Sequence, residues 1–147
     1  AARACPNMQW RVIGPVTSTT DRPANLDLAG WVNDPVQEIA RAGLIIGAAG
    51  DGLVSAVLAA NRPFLCIPED RPFNEQLATA LGLGRLNAAV VLETWPSPDH
   101  WPGLIRQAKM LPSQCRKRLH DRDGVDTAAR WLAGMAAAAV QELDPVA

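Results

Sequence analysis

Seven residues, Gly-Ala-Ala-Gly-Asp-Gly-Leu at 47–53, form the clearest pattern in this sequence that could do chemistry. They follow a short apolar run and precede a helix-forming run of small residues. Glycine lets a ligand approach the backbone closely. The first turn of a helix has N–H groups without partners, at the positive end of its dipole. Together these can make a site for an anion such as a diphosphate where the helix starts, near Leu53. The same pattern also serves a plain tight turn from strand to helix. It is not a Walker phosphate loop, because the Lys-Ser/Thr pair is missing, and Gly47, Gly50 and Gly52 do not have the GxGxxG spacing. Asp51 would repel a phosphate placed against it, and its simplest role is to cap the helix behind it.

A second stretch, "PEDRPFNEQ" at 68–76, puts a carboxylate beside an amide at Glu75 and Gln76. Together these offer acceptors and donors to adjacent hydroxyls of a sugar. Taken alone, Glu75 reads more simply as a solvated first-turn acid that suits a helix dipole. Arg71 can pair with a phosphate or, as a local ion pair, with Asp70. The two histidines are weak candidates for a catalytic base. His100 follows the last expected strand, and His120 stands in the charged run "RKRLHDRD". Nor are they spaced as zinc ligands, and no metal is expected. Cys5, Cys66 and Cys115 lie far apart with no CxxC, which points to a reducing, cytoplasmic compartment. Cys66, inside an apolar run, reads as a buried small hydrophobe.

The elements that must position these residues alternate along the chain. "QWRVIG" (9–14), "LDLAGWV" (26–32), "GLIIG" (43–47), "PFLCIP" (63–68) and "NAAVVLE" (87–93) read as strands. The stretch before Pro23, rich in Ser and Thr, reads as loop. A helix starts after Asn33 or Asp34 as cap, with Pro35 at its first position. Further helices are expected from Leu53 to Ala60, over 72–84, around "DHWPGLIRQAKML", and over "DTAARWLAGMAAAAVQEL". Continuous apolar strands such as "GLIIG" are the mark of a sheet covered on both faces. The order implies an α/β fold with a doubly wound, mostly parallel, Rossmann-like sheet. In such sheets ligands bind outside the carboxyl ends of the strands, which places Gly14, Trp31, Gly50 and Pro68 on one rim.

The chain has 147 residues, suited to one domain, and a net charge of −1. That balance gives no electrostatic basis for binding nucleic acid. No leader-like pattern opens the sequence and no apolar run approaches 18 residues, so no membrane span is expected.

The order of elements and motifs, a strand into "GWVNDP", a short helix, an apolar strand into the glycine corner, "LAANRPFLCIP", then "PFNEQ" and a helix, resembles the C-terminal, donor-binding half of GT-B glycosyltransferases. It looks most like the group with the MurG-type N-acetylglucosaminyltransferases and antibiotic glycosyltransferases. The resemblance covers residues 9–93 and extends weakly to the last helix. It implies an enzyme that transfers a hexose-type sugar from a nucleotide diphosphate sugar without a metal. Trp31 and Val32 would meet the nucleotide base, the N–H groups of Gly50, Asp51, Gly52 and Leu53 the diphosphate, and Glu75 and Gln76 the donor sugar.

Two positions depart from that pattern. The family commonly has a ribose-binding Glu where this chain has Ala56. It also has Ser or Thr near the phosphates, where Ala49 and Asp51 stand here and Ser55 is the nearest hydroxyl. The resemblance further implies a central strand upstream of "QWRVIG", with residues 1–8 as the end of the helix that follows it. Preceding sequence and an N-terminal acceptor domain carrying the catalytic base are thus expected, and the 147 residues alone are expected to transfer no sugar. Two other readings remain. One is an oxidoreductase binding NAD(P), with Glu69 or Asp70 about 20 residues beyond the corner as the ribose acid. The other is a non-catalytic glycosyltransferase-like partner subunit.

Overall fold

The computed structural model describes residues 1–16 and 21–142, with side chains to 138. Residues 17–20 of the expected loop and Leu143 of the expected last helix lie outside the described residues. The chain is α/β. Its strands are β1 (Trp10–Ile13), β2 (Leu26–Gly30), β3 (Ile45–Gly47), β4 (Phe64–Cys66) and β5 (Val90–Val91). The helices are α1 (Pro35–Arg41), α2 (Asp51–Ala59), α3 (Glu75–Arg85), α4 (Trp101–Met110), α5 (Ser113–Lys117) and α6 (Gly124–Glu142).

All strand pairing is parallel, but it falls into two sheets. β1 pairs with β2, and β3, β4 and β5 pair in that order. Instead of one continuous sheet, the described residues form two that no ladder joins.

Both faces of the three-stranded sheet are covered, as its apolar strands require. The side chains of β4 alternate between two cores. Phe64 and Cys66 pack with Ile39 of α1, Val54 and Val57 of α2, and Ala80 and Leu83 of α3. Leu65 packs the other way, with Val90 and with Trp101, Ile105 and Ala108 of α4. This is the period-2 alternation of a strand buried on both sides. Trp101 is fully buried and meets Trp10 edge-on, with ring centroids 5.9 Å apart, and Trp95 at 5.0 Å.

Local sequence explains several boundaries. Asp34 caps α1 by accepting from the Gln37 N–H at 2.9 Å, with Pro35 at the first helical position. Asn25, buried between β1 and the amino-terminal turn Ala2–Ala4, donates its amide N–H groups to the carbonyls of Ala2, Cys5 and Met8 at 2.9–3.1 Å. One side chain thereby fastens the first eight residues to the start of β2. β5 is shorter than the expected 87–93, since only Val90 and Val91 reach a ladder with β4. Among the described residues no helix is long and apolar enough to cross a membrane.

Candidate functional site

The glycine corner connects β3 to α2, and its three glycines differ in what they are for. A Cβ on Gly47 would overlap a terminal methyl group of Leu53, so a larger residue there would oblige that side chain to move. Gly50 and Gly52 have no such need. A Cβ on Gly50 would lie 3.8 Å from Gln76 Nε2, an ordinary contact, and one on Gly52 would meet nothing. Their φ values are not positive, so backbone conformation does not demand glycine either. Gly52 stands in the first turn of α2, and nothing among the described residues approaches it closely enough to require glycine.

The helix begins earlier than its sequence suggests. Gly50, extended at φ −69° and ψ 142°, is the N-cap, and its carbonyl accepts from the Val54 N–H at 3.0 Å. Asp51 is therefore the first helical residue, exposed, and makes no capping hydrogen bond, which corrects the expectation of Asp51 as cap. A carboxylate in the first turn is favoured by the helix dipole without a direct bond. The N–H groups of Asp51, Gly52 and Leu53 open the helix, two residues before the expected start at Leu53. Val54 and Val57 hold this end against the core.

Gln76 is the residue whose role the structure changes most. Glu75 and Gln76 do occupy the first turn of α3, yet Gln76 is only 6% exposed. Its Oε1 accepts from the Ala49 N–H at 3.1 Å and the Glu69 N–H at 3.0 Å. The amide oxygen expected to meet a sugar instead ties the glycine corner to the loop after β4. Only Nε2, beside Gly50, is left to face outward.

The result is a pocket of about 220 Å³ lined by Ala49, Gly50, Asp51, Glu75, Gln76 and Thr79. Glu75 is exposed at its edge. Thr79 went unnoticed in the sequence, although it lies one helical turn beyond Glu75, a spacing that places both on one face. The pocket is smaller than the 300–1,000 Å³ typical of a site that encloses a whole ligand, so it suits one part of a larger molecule.

Other expected site residues stand outside its walls. Trp31 follows β2 and is 83% exposed, with Val32 beside it and half-buried. Gly52 and Leu53 flank the pocket without lining it. Arg71 pairs with Glu69, Nη2 to Oε2 at 2.6 Å, and not with Asp70. That pairing occupies the Glu69 carboxylate. Ser55 faces solvent, while Ala56 packs against the core.

The approach to α3 is strained. Phe73 (φ 62°) and Asn74 (φ 54°) are consecutive left-handed residues, and the Phe73 side chain is fully exposed. They turn a short 3-10 segment (Pro72–Asn74) into α3, which separates the expected helix over 72–84 into two pieces. A bulky residue in this conformation is a genuine outlier that surrounding structure must impose.

A larger open cleft of about 670 Å³ follows β5, where Ser97 Oγ lies 3.0 Å from His100 Nδ1. The two residues are three apart at the start of the 3-10 turn Pro98–His100, so the contact is local to a helix start. His120 is half-buried, not exposed as its charged surroundings suggest. Compared with protein-family models and with curated proteins, the sequence matches none.

Proposed function

We propose that this chain is the donor-binding portion of a glycosyltransferase that takes a hexose-type sugar from a nucleotide diphosphate. The observation that carries the reading is the shared pocket. The glycine corner and the Glu75–Gln76 pair are separated by a strand in sequence, yet they line one small cavity at the ends of β3 and β4.

The chemistry divides along that cavity. Asp51 and Glu75 give it an acidic rim, which suits sugar hydroxyls that donate hydrogen bonds, and the Thr79 hydroxyl and Gln76 Nε2 add polar groups to the same space. A diphosphate then belongs beside the acidic rim, over the first-turn N–H groups of Gly52 and Leu53, where the absence of side chains at Gly50 and Gly52 leaves the backbone open. Preorganised N–H donors of this kind stabilise charge developing on a leaving diphosphate and call for no metal. The nucleotide base would extend along the rim toward Trp31 and Val32. The catalytic base and the acceptor site belong to an N-terminal domain outside these residues.

Calorimetric titration with UDP, dTDP, GDP and NADH, without divalent cation, tests this. The expected result is heat with at least one nucleoside diphosphate, lost in Gly52→Pro, which fills the open backbone position. Binding of NADH alone would replace the proposal with an oxidoreductase. No binding by any of the four would leave a non-catalytic partner subunit.

A further inference from the structure

We propose that the cleft after β5 binds a neutral carbohydrate, a pyranose ring that lays its C–H face on Trp95. This stands independently of the sugar-transfer reading, since the cleft shares no lining residue with the pocket at the glycine corner.

Two elements build the cleft. The loop that leaves β5 supplies Glu93, Thr94, Trp95 and Ser97, and α4 supplies the opposite wall. His100 is the N-cap of α4, and Gly103, Leu104 and Gln107 continue from it as one stripe along the helix. Ile105 and Ala108 of the same helix are buried in the core with Leu65 and Val90, so core packing turns the stripe outward. Gly103 makes a hollow in it, where an added Cβ would meet no atom within 4 Å. The space of about 670 Å³ is in the range of sites that take a small ligand.

Trp95 is held in place and still bare. It is 65% exposed, yet its ring lies 5.0 Å from that of Trp101, which is fully buried. A large side chain anchored on one side and open on the other is a positioned apolar surface. Ordering it against a ligand costs little conformational entropy.

The groups around the ring state the ligand's chemistry. Glu93 accepts hydrogen bonds, the Thr94 and Ser97 hydroxyls donate and accept, and the Gln107 amide offers one group of each kind. Ser97 Oγ lies 3.0 Å from His100 Nδ1 and steadies the imidazole, whose Nε2 has no partner among the described residues. No lysine or arginine lines the cleft, so a phosphate or carboxylate would meet Glu93 and no counter-charge. A wholly apolar ligand would take water from these groups without replacing its hydrogen bonds. A quaternary ammonium would find one exposed indole where an aromatic cage is needed. A neutral ring with C–H groups on its face and hydroxyls round its edge satisfies both the indole and its polar surroundings.

The probe is cellotriose, titrated to about 20 mM into the isotopically labelled 147-residue chain and followed by NMR, enough to reveal a weak millimolar site. Sorbitol, which has hydroxyls without a ring face, and choline chloride are run in parallel. The expected result is a saturable shift of the Trp95 indole N–H and of the Gly103 and Gln107 amides with cellotriose, and none with sorbitol. Affinity should fall at least tenfold in Trp95→Ala. It should fall about fivefold in Gly103→Leu, which fills the hollow at an exposed helical position and keeps the fold. No shift with cellotriose, an equal response to sorbitol, or unchanged affinity in Gly103→Leu would overturn the proposal. A response to choline alone would overturn it in favour of a cation site, and shifts centred on Gly50, Gln76 and Thr79 would move the sugar to the other pocket.

Discussion

β4 and β1 are both short, parallel and largely apolar, but the molecule treats them differently. In β4 Phe64, Leu65 and Cys66 are at most 1% exposed, with a neighbouring strand on each side and helices over both faces. In β1 no residue is fully buried, Arg11 is exposed, and only β2 pairs with it. The ladder β1 shares with β2 is reinforced at its surface, where Arg11 meets Asp27 across the strands and reaches Glu38 of α1 at 3.1 Å. Exposed pairs of this kind contribute about 0–1 kcal/mol. The difference teaches that a strand's contribution to stability comes from its neighbours more than from its own composition.

The contrast makes its largest prediction in the two cores. Leu65→Ala should lower the unfolding free energy by about 2–5 kcal/mol, measured by urea denaturation, because it empties a fully buried site between β4 and α4. Val12→Ala, in the half-buried edge strand, should cost about 1 kcal/mol or less. Equal costs would break the comparison. A cost near zero at Val12 would sharpen it.

Next in size is the tie between the glycine corner and the loop after β4. Gln76→Leu keeps volume near the core but leaves the Ala49 and Glu69 N–H groups without their acceptor. A buried donor without a partner costs about 1–3 kcal/mol. The same variant should lose nucleoside diphosphate binding, since the glycine corner is no longer held to the loop after β4. Full stability in Gln76→Leu would show that water replaces the amide at no cost.

Burial of β4 also leaves an alkaline signature. Desolvation pushes the Cys66 thiol up to about 11, so the folded state holds this proton where an unfolded chain gives it up. The folded form then binds more protons than the unfolded one between the ordinary thiol range and pH 11. Stability contributed by the buried neutral thiol is full below that range and is lost as pH rises through it. Cys66→Ala should flatten this alkaline decline in a series of urea melts.

The smallest effect is expected at the rim, where Asp51 is exposed. Asp51→Asn should change stability by no more than about 0.5 kcal/mol. Removing the charge at the head of α2 should nevertheless tighten nucleoside diphosphate binding about two- to fivefold, corresponding to the 0.3–1 kcal/mol of a charge near a helix terminus. Weaker binding in Asp51→Asn would place the phosphates elsewhere.

Much of the region from α1 to β4 was legible in the sequence because its signals are local. The Asp34-Pro35 start of α1, the glycine corner after β3 and the apolar β4 all follow from steric preference and burial period within a few residues. Other features were not. The start of α2 at Asp51 depended on Gly50 taking an extended conformation, which glycine's freedom leaves undecided. Arg71 had carboxylates on two nearby residues, and only the turn of the loop chose Glu69 over Asp70. Nothing in "PFNEQ" announces that Phe73 and Asn74 are left-handed, since that strain is imposed by where α3 must begin.

By itself, then, the sequence determined the alternation of parallel strands and helices, a sheet covered on both faces, and the glycine corner at a helix start. These depend on neighbouring residues and on the periodicity of apolar side chains. The tertiary structure alone decided that Gln76 bonds the Ala49 and Glu69 N–H groups, that Glu75 and Thr79 share a pocket with Gly50, and that the described strands divide between two sheets. Each of these requires groups distant along the chain to arrive within hydrogen-bonding or packing distance. No local pattern encodes such a meeting, because it depends on how all the layers pack together.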